Sequence, residues 1–211
     1  MGVLRTRIFV LQLTIVTFGL IEFVVPAAAA PAPITSDYGA NRIVRRPFGS
    51  AVIVSMGKHD GIDFGAPAGT PVLSASFGIV QKVSITACSG GVVMVKHPAK
   101  HQPSAPSDTG GATRLDRDVY VIYVHVNPAV KKGDRLEPGQ RIAVIADSSR
   151  LPCANGDHLH FMVSHSQRNP AAHTVNPHQF WVNGSYQLSC YEAGKVYSSR
   201  EFAIISPIKC E

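Results

Sequence analysis

Imidazole and carboxylate groups gather at two widely separated places in this chain. The first is His59-Asp60-Gly61-Ile62-Asp63; the second is His158-Leu159-His160, followed by Phe161-Met162-Val163. Neutral imidazoles and carboxylates are zinc ligands, and a catalytic zinc takes three protein ligands and leaves a fourth position for water. On a strand, His158 and His160 share one face while Phe161 and Val163 point into the opposite layer. His59 and Asp63 would share a helix face, but Gly61 and the following Phe64-Gly65-Ala66-Pro67 speak against a helix. They read instead as a loop entering a strand, with residues 59, 61 and 63 pointing the same way. A third element, Tyr120 to Val126, is β-branched and aromatic and carries His125 near its end. Taken singly, each element also fits a hydrogen-bonded turn or a satisfied histidine; their joint use requires a scaffold that brings them together.

The elements that would position them are short strands. Ser50 to Val54, Pro71 to Ala75, Gly78 to Ile85, Gly91 to His97, Asp118 to Val126, Arg141 to Ala146 and His158 to Ser164 are rich in Val and Ile. Gly, Pro, Asp and Asn punctuate them. Helical periodicity is absent between residues 31 and 170, and one short helix is expected over Pro177 to Val182, with Asn176 as its N-cap. The pattern predicts an all-β fold, a mainly antiparallel sandwich or open barrel with few short helices. Pro98 to Arg117 reads as a long polar loop.

At 211 residues the chain is long enough for one domain with its own core. Arg5 and Arg7, the apolar run Ile8 to Ile21 and the alanines Ala27 to Ala30 read as a secretory signal peptide over residues 1–29. The uncharged run is shorter than the ~20 residues of a membrane span, so no stable anchor is expected after cleavage. Loss of Arg5, Arg7 and Glu22 would lower the net charge from +6 to +5. A modestly basic exported protein suits an anionic surface such as a bacterial envelope. With no basic run, no aromatic-basic interleaving and no recognition helix, nucleic acid is not an expected partner. Four cysteines, Cys88, Cys153, Cys190 and Cys210, imply two disulfides in an exported chain. Spacing alone leaves all three pairings open, and no C-x-x-C is present for a thiolate zinc knuckle.

In this order, the histidine elements closely resemble those of the lysostaphin-type zinc metallopeptidase family, whose members hydrolyse peptidoglycan peptides. The resemblance covers about residues 34 to 182. It runs through Ile34-Thr35-Ser36-Asp37-Tyr38-Gly39, HDGIDFGAPAGTPVLSASFGIV, VVMVKH, YVIYVHV, VKKGDRLEPGQRIAVI, GDHLHF and NPHQF. It implies a sandwich-like barrel with a groove over one zinc per chain, of the kind built on a duplicated hybrid motif. His59, Asp63 and His160 become the metal ligands, and His125 and His158 the catalytic histidines. Met162 stands where the family has Glu, Val126 where it has Leu, and Asn41 where it has Arg, with Arg42 adjacent; these departures bear on substrate preference. His97 matches a structural strand-end position, and His101, His165, His173 and His178 are not expected to touch the metal.

The expected function is that of an exported zinc metalloendopeptidase acting on cell-wall peptidoglycan, secreted or periplasmic. A zinc-activated water would attack the scissile amide with help from two histidines, because no H-E-x-x-H glutamate is present. The alternative is a non-hydrolytic wall-binding regulator of other murein hydrolases. Residues 30–183 would form the peptidase domain and 184–211 a disulfide-closed appendage. Hairpin order places the turn at Cys88 at the His125 end of the sheet, and the loop at Cys153 borders the same groove. Cys88–Cys153 and Cys190–Cys210 are therefore the expected pairs.

Overall fold

A computed structural model describes residue 30 and residues 32–48, 51–97 and 118–210. The expected signal peptide, the polar loop after His97 and His101 lie outside the described residues. Among the described residues there are twelve strands: β1 Ile34–Ser36, β2 Asn41–Phe48, β3 Ala51–Lys58, β4 Ile62–Gly65, β5 Pro71–Leu73, β6 Gly78–Thr86, β7 Gly90–His97, β8 Val119–Pro128, β9 Arg135–Leu136, β10 Arg141–Ile145, β11 His158–Ser164 and β12 Thr174–Val175. All pairings between these strands are antiparallel. The main sheet runs β1-β4-β11-β8-β7-β6-β9; β10 joins β8 to β5, β12 lies on β11, and β2–β3 form a separate ribbon. The fold is the mostly antiparallel β architecture expected from the strand pattern.

β11 shows why this sequence folds this way. It lies between β4 and β8, so its backbone is paired on both sides. Its alternate residues Leu159, Phe161 and Val163 enter the main core with Ile62 and Phe64 of β4, Val121 and Tyr123 of β8, and Val93 and Val95 of β7. Phe161 meets Phe64 and Tyr123 edge to face, with ring centroids 6.1 and 5.5 Å apart. Tyr123 is fully buried, and its hydroxyl oxygen accepts a 2.7 Å hydrogen bond from the Ala75 amide. The opposite face carries His158, His160 and Met162; Met162 packs with Met94, Tyr120 and Ile122 in a second, smaller cluster. One-residue alternation thus separates the apolar core from the chemistry.

The short helix expected after Asn176 is a 3-10 turn, Pro177–Phe180, capped by the Asn176 side chain, which accepts from the His178 amide. Two further 3-10 turns, Ser148–Arg150 and Pro170–His173, lie in loops. The tail after residue 184 packs on the barrel. Phe202, Ile204 and Ile208 belong to the main core, Ile208 bridges Val72, and the Ile205 amide donates to the Ala75 carbonyl at 2.9 Å. Both expected disulfides are present, with Cα–Cα distances of 5.0 Å for Cys88–Cys153 and 5.9 Å for Cys190–Cys210. No helix among the described residues is long and apolar enough to cross a membrane.

Candidate metal centre

Asp63 and His160 are direct cross-strand partners on β4 and β11. That register puts the Asp63 Oδ1 2.8 Å from His160 Nδ1. His59 precedes β4 on a loop, and its Nε2 lies 3.0 Å from His160 Nδ1 and 3.1 Å from Asp63 Oδ1. The three atoms form a nearly equilateral triangle. A tetrahedron with bonds of about 2.05 Å has edges of roughly 3.3 Å, so the triangle is close to one of its faces.

The partners of the other ring nitrogens fix which atoms point inward. His59 Nδ1 lies 2.9 Å from the Asp37 carbonyl and 2.9 Å from Ser36 Oγ. The carbonyl can only accept, so Nδ1 carries the proton and Nε2 presents a lone pair. His160 faces a carboxylate on each side, Asp63 Oδ1 at 2.8 Å from Nδ1 and Asp60 Oδ1 at 3.3 Å from Nε2, so a cation taken up at Nδ1 would leave the ring proton on Nε2. Once His160 gives up its Nδ1 proton, three acceptor atoms converge in a buried place, an arrangement that suits a shared cation. Asp60, His59 and His160 also form a cluster of metal-ligand type. Asp63 Oδ1 meets one nitrogen of each of the two rings, His59 Nε2 and His160 Nδ1, whereas Asp60 meets the other nitrogen of His160.

The electrostatics agree. Burial pushes the Asp63 carboxyl up, but its contacts with the His160 and His59 rings, and positive charge on His160 and His158, outweigh burial and hold Asp63 far below the usual carboxylate range. Burial opposes charge on His160, yet Asp60 and Asp63 together raise it above the ordinary imidazole value. The pocket is built to hold positive charge, and a metal ion bound there would displace that proton. The second Asp63 oxygen accepts from Arg42 Nη1 at 2.7 Å.

His125 and His158 stand beside the triangle with ring centroids 4.7 Å apart. His158 Nδ1 donates to the Gly156 carbonyl at 2.8 Å, and His125 Nδ1 donates to the Ser89 carbonyl at 2.9 Å. Each thereby leaves Nε2 unprotonated, that of His158 lying 3.7 Å from Asp63 Oδ1. Burial lowers both below the ordinary imidazole value, His125 to about 3. By simple alternation His125 would point away from Val124, into the core. Instead the β7–β8 register slips between Gly91 and Val92, and His125 takes a left-handed conformation with φ of 63°. It is a bulge residue, re-aimed onto the histidine face.

The sequence-predicted residues His59, Asp63, His125, His158 and His160 thus come together. The groove beside them, about 470 Å³, is also bordered by Thr35, Arg42, Ile43, Asn155 and Asp157. Asp157 accepts from the amides of Ala68 and Ser148, tying down the loop that leads into His158. The Cys88–Cys153 bridge joins the turn that supplies Ser89 to that same loop. Asp60, Arg42 and the Asp37 carbonyl are contacts the motif reading did not assign. Only Asp60 carried a local signal, an acidic side chain next to a ligand in a glycine turn. His178 Nε2 donates to Asp37 Oδ1 at 2.9 Å. His97 packs edge to face on Phe202.

An antiparallel β domain thus presents two histidines and an aspartate to one point, with two further histidines alongside, a set of groups that could hold a metal ion. The chain is 30% identical over 116 residues to peptidoglycan DD-endopeptidase ShyC of Vibrio cholerae, covering 53% of this chain and 22% of that protein. It is 30% identical over 132 residues to an uncharacterized metalloprotease of Haemophilus influenzae, covering 62% of this chain and 22% of the relative. The chain therefore spans about a fifth of the length of the curated relatives it matches. The solved structure of LytU overlays 70% of this chain and 82% of its own at 24% identity, with a TM-score of 0.47. No family model matches the chain. By sequence the chain is thus similar to proteins named peptidoglycan DD-endopeptidase and metalloprotease, in line with the resemblance that its histidine motifs carry.

Proposed function

We propose that this protein is a zinc metalloendopeptidase that cleaves peptide bonds in bacterial peptidoglycan outside the cytoplasm. The carrying observation is the triangle of inward acceptor atoms from His59, Asp63 and His160, with edges of 2.8–3.1 Å. These three residues would hold the metal. Zinc bound there supplies a Lewis acid for the scissile carbonyl and brings a water to a pKa near ~7. His158 and His125 do the proton work. Both are neutral at pH 7 with Nε2 unprotonated, so either can take a proton from the attacking water and pass it to the leaving amine. The ring that has taken the proton can donate from Nε2–H to the negative charge developing on the carbonyl oxygen before it passes that proton to the leaving amine. The hydrogen bonds to Gly156 and Ser89 hold the two rings in the required tautomer throughout.

A purely regulatory wall-binding protein would need neither this tautomer control nor the bulge that turns His125 toward the site. Two disulfides support an oxidising, exported setting. The relatives' named activity makes the D,D cross-link the first bond to assay, with an oligoglycine bridge as comparison. The test is zinc content and release of peptide from purified sacculi, followed by mass spectrometry, with and without chelator. One zinc per chain and chelator-sensitive release are expected. Undiminished release by His160→Ala would sink the proposal.

A further inference from the structure

The three metal-facing side chains are backed in different ways. His59 leans on a backbone carbonyl and Asp63 on the Arg42 guanidinium, but His160 is backed by a second carboxylate, that of Asp60, 3.3 Å from its Nε2. Asp60 reaches that nitrogen because the chain at Gly61 runs directly against β11. A Cβ on Gly61 would lie 2.5 Å from the Phe161 carbonyl oxygen and 2.9 Å from both His160 Cε1 and Met162 Cγ. Only glycine permits this approach, and the approach delivers the preceding carboxylate to the His160 ring. The carboxylate is mostly sheltered, with 28% of its side chain exposed.

We propose that Asp60 is a positioning residue for the metal centre: it holds His160 as the Nε2–H tautomer and makes its Nδ1 a stronger donor to the metal. This rests on the zinc reading above. A carboxylate accepting from the far nitrogen of a ligating imidazole fixes ring orientation and raises ligand basicity; loss of such a partner costs typically 10- to 100-fold in metal affinity. Asp60 is not itself a ligand, since it addresses the nitrogen pointing away from His59 and Asp63.

The test uses the folded full chain loaded with Co²⁺, with affinity read by competition against a chromophoric chelator and geometry by the visible absorption of the bound ion. Asp60→Ala should weaken Co²⁺ binding about 10- to 100-fold while leaving the four-coordinate spectrum intact. Asp60→Asn keeps an acceptor oxygen without the charge and should fall between wild type and Asp60→Ala. The thermal midpoint of the metal-free protein should change little in Asp60→Asn, which separates positioning from a general structural role. Equal affinity in wild type and both variants overturns the proposal and leaves the zinc reading standing. A changed spectrum, or Asp60→Asn as damaging as Asp63→Ala, overturns it by making Asp60 a ligand. Failure of wild type to bind Co²⁺ overturns the zinc reading, and this proposal with it.

Discussion

The two histidine motifs reach the same point by different means. His158 and His160 ride on a strand paired on both sides, so the sheet itself fixes their separation and direction. His59 sits outside any strand, and its ring is aimed by the Asp37 carbonyl, Ser36 Oγ and the close passage at Gly61. Ladder-borne groups are set by the cooperative backbone; a loop-borne group depends on a few named contacts. Substitutions should therefore separate the two motifs by what they lose. The largest effect is expected for His160→Ala, His59→Ala and Asp63→Ala, each of which should abolish stoichiometric zinc and sacculus hydrolysis. His158→Ala and His125→Ala should keep the metal and lose turnover by about 10²- to 10⁴-fold. Zinc retained in His160→Ala, or lost in His158→Ala, would exchange the assigned roles.

Gly61→Ala tests the loop-borne side. The added methyl meets the Phe161 carbonyl oxygen first and the His160 and Met162 side chains next, so overpacking should cost about 1–3 kcal/mol. For a chain of this size that lowers the melting midpoint by roughly 3–10 °C, readable in a thermal scan of the metal-free protein. A wild-type midpoint would mean that the loop at His59 is freer than the close packing implies.

The same contrast decides what was legible in the sequence. The H-x-H pair was readable because alternation is a strand property, and Phe161 and Val163 occupy the core as that alternation requires. The disulfide pairs followed from hairpin order, which the β6–β7 and β7–β8 registers bear out. The direction of His125 was not readable from alternation, which sends it into the core; only the slip opposite Gly91 and the left-handed backbone bring it out. β3 was expected only over Ser50 to Val54 and β4 only as a strand entered from the His59 loop, while β2 and the short strands β1, β9 and β12 escaped because they lack a long β-branched run. Asp60 and the Asp37 carbonyl escaped because tertiary contact, not local spacing, gives them their roles. The β7 and β8 ends His97 and Val119 pair, six residues from His125 along β8, so the polar loop is anchored roughly 20 Å from that histidine.

The two disulfides extend the comparison. Cys88–Cys153 has a sequence separation of 65 and Cys190–Cys210 one of 20, for which loop entropy gives about 4 and about 3 kcal/mol. Only the first ties Ser89 to the His158 loop. Cys88→Ser with Cys153→Ser should therefore lower turnover severalfold in protein that remains folded, whereas Cys190→Ser with Cys210→Ser should lower the melting midpoint and spare the activity of the folded fraction. Equal turnover losses in the two pairs would show that the first bridge has no special hold on the site.

The pH response should come from the re-aimed histidine. Burial depresses His125 from the ordinary 6.5 to about 3, so the folded metal-free protein binds fewer protons than the unfolded chain in that window. Its contribution to stability is fully present above about pH 6.5 and is lost as pH falls toward 3. His125→Asn, which tolerates the left-handed backbone, should flatten part of that fall in denaturant titrations at several pH values. An unchanged slope would mean that other buried groups dominate acid sensitivity.

The smallest effect is expected farthest from the metal. Trp181 Nε1 donates to His178 Nδ1 at 2.9 Å, so His178 must donate from Nε2, and it does so to Asp37 Oδ1 at 2.9 Å. Asp37 in turn offers its carbonyl to His59. Trp181→Phe removes the first donor and frees His178 to take the other tautomer, loosening its grip on Asp37. The Asp37 side chain is 60% exposed, so water can replace much of what is lost. The expected change in metal affinity is threefold or less, about 0.6 kcal/mol, with a clear change in the ¹⁵N signature of the His178 ring. A tenfold loss would show that the loop-borne ligand depends on contacts well beyond its own turn; an unaltered ring signature would mean that Trp181 does not set the tautomer.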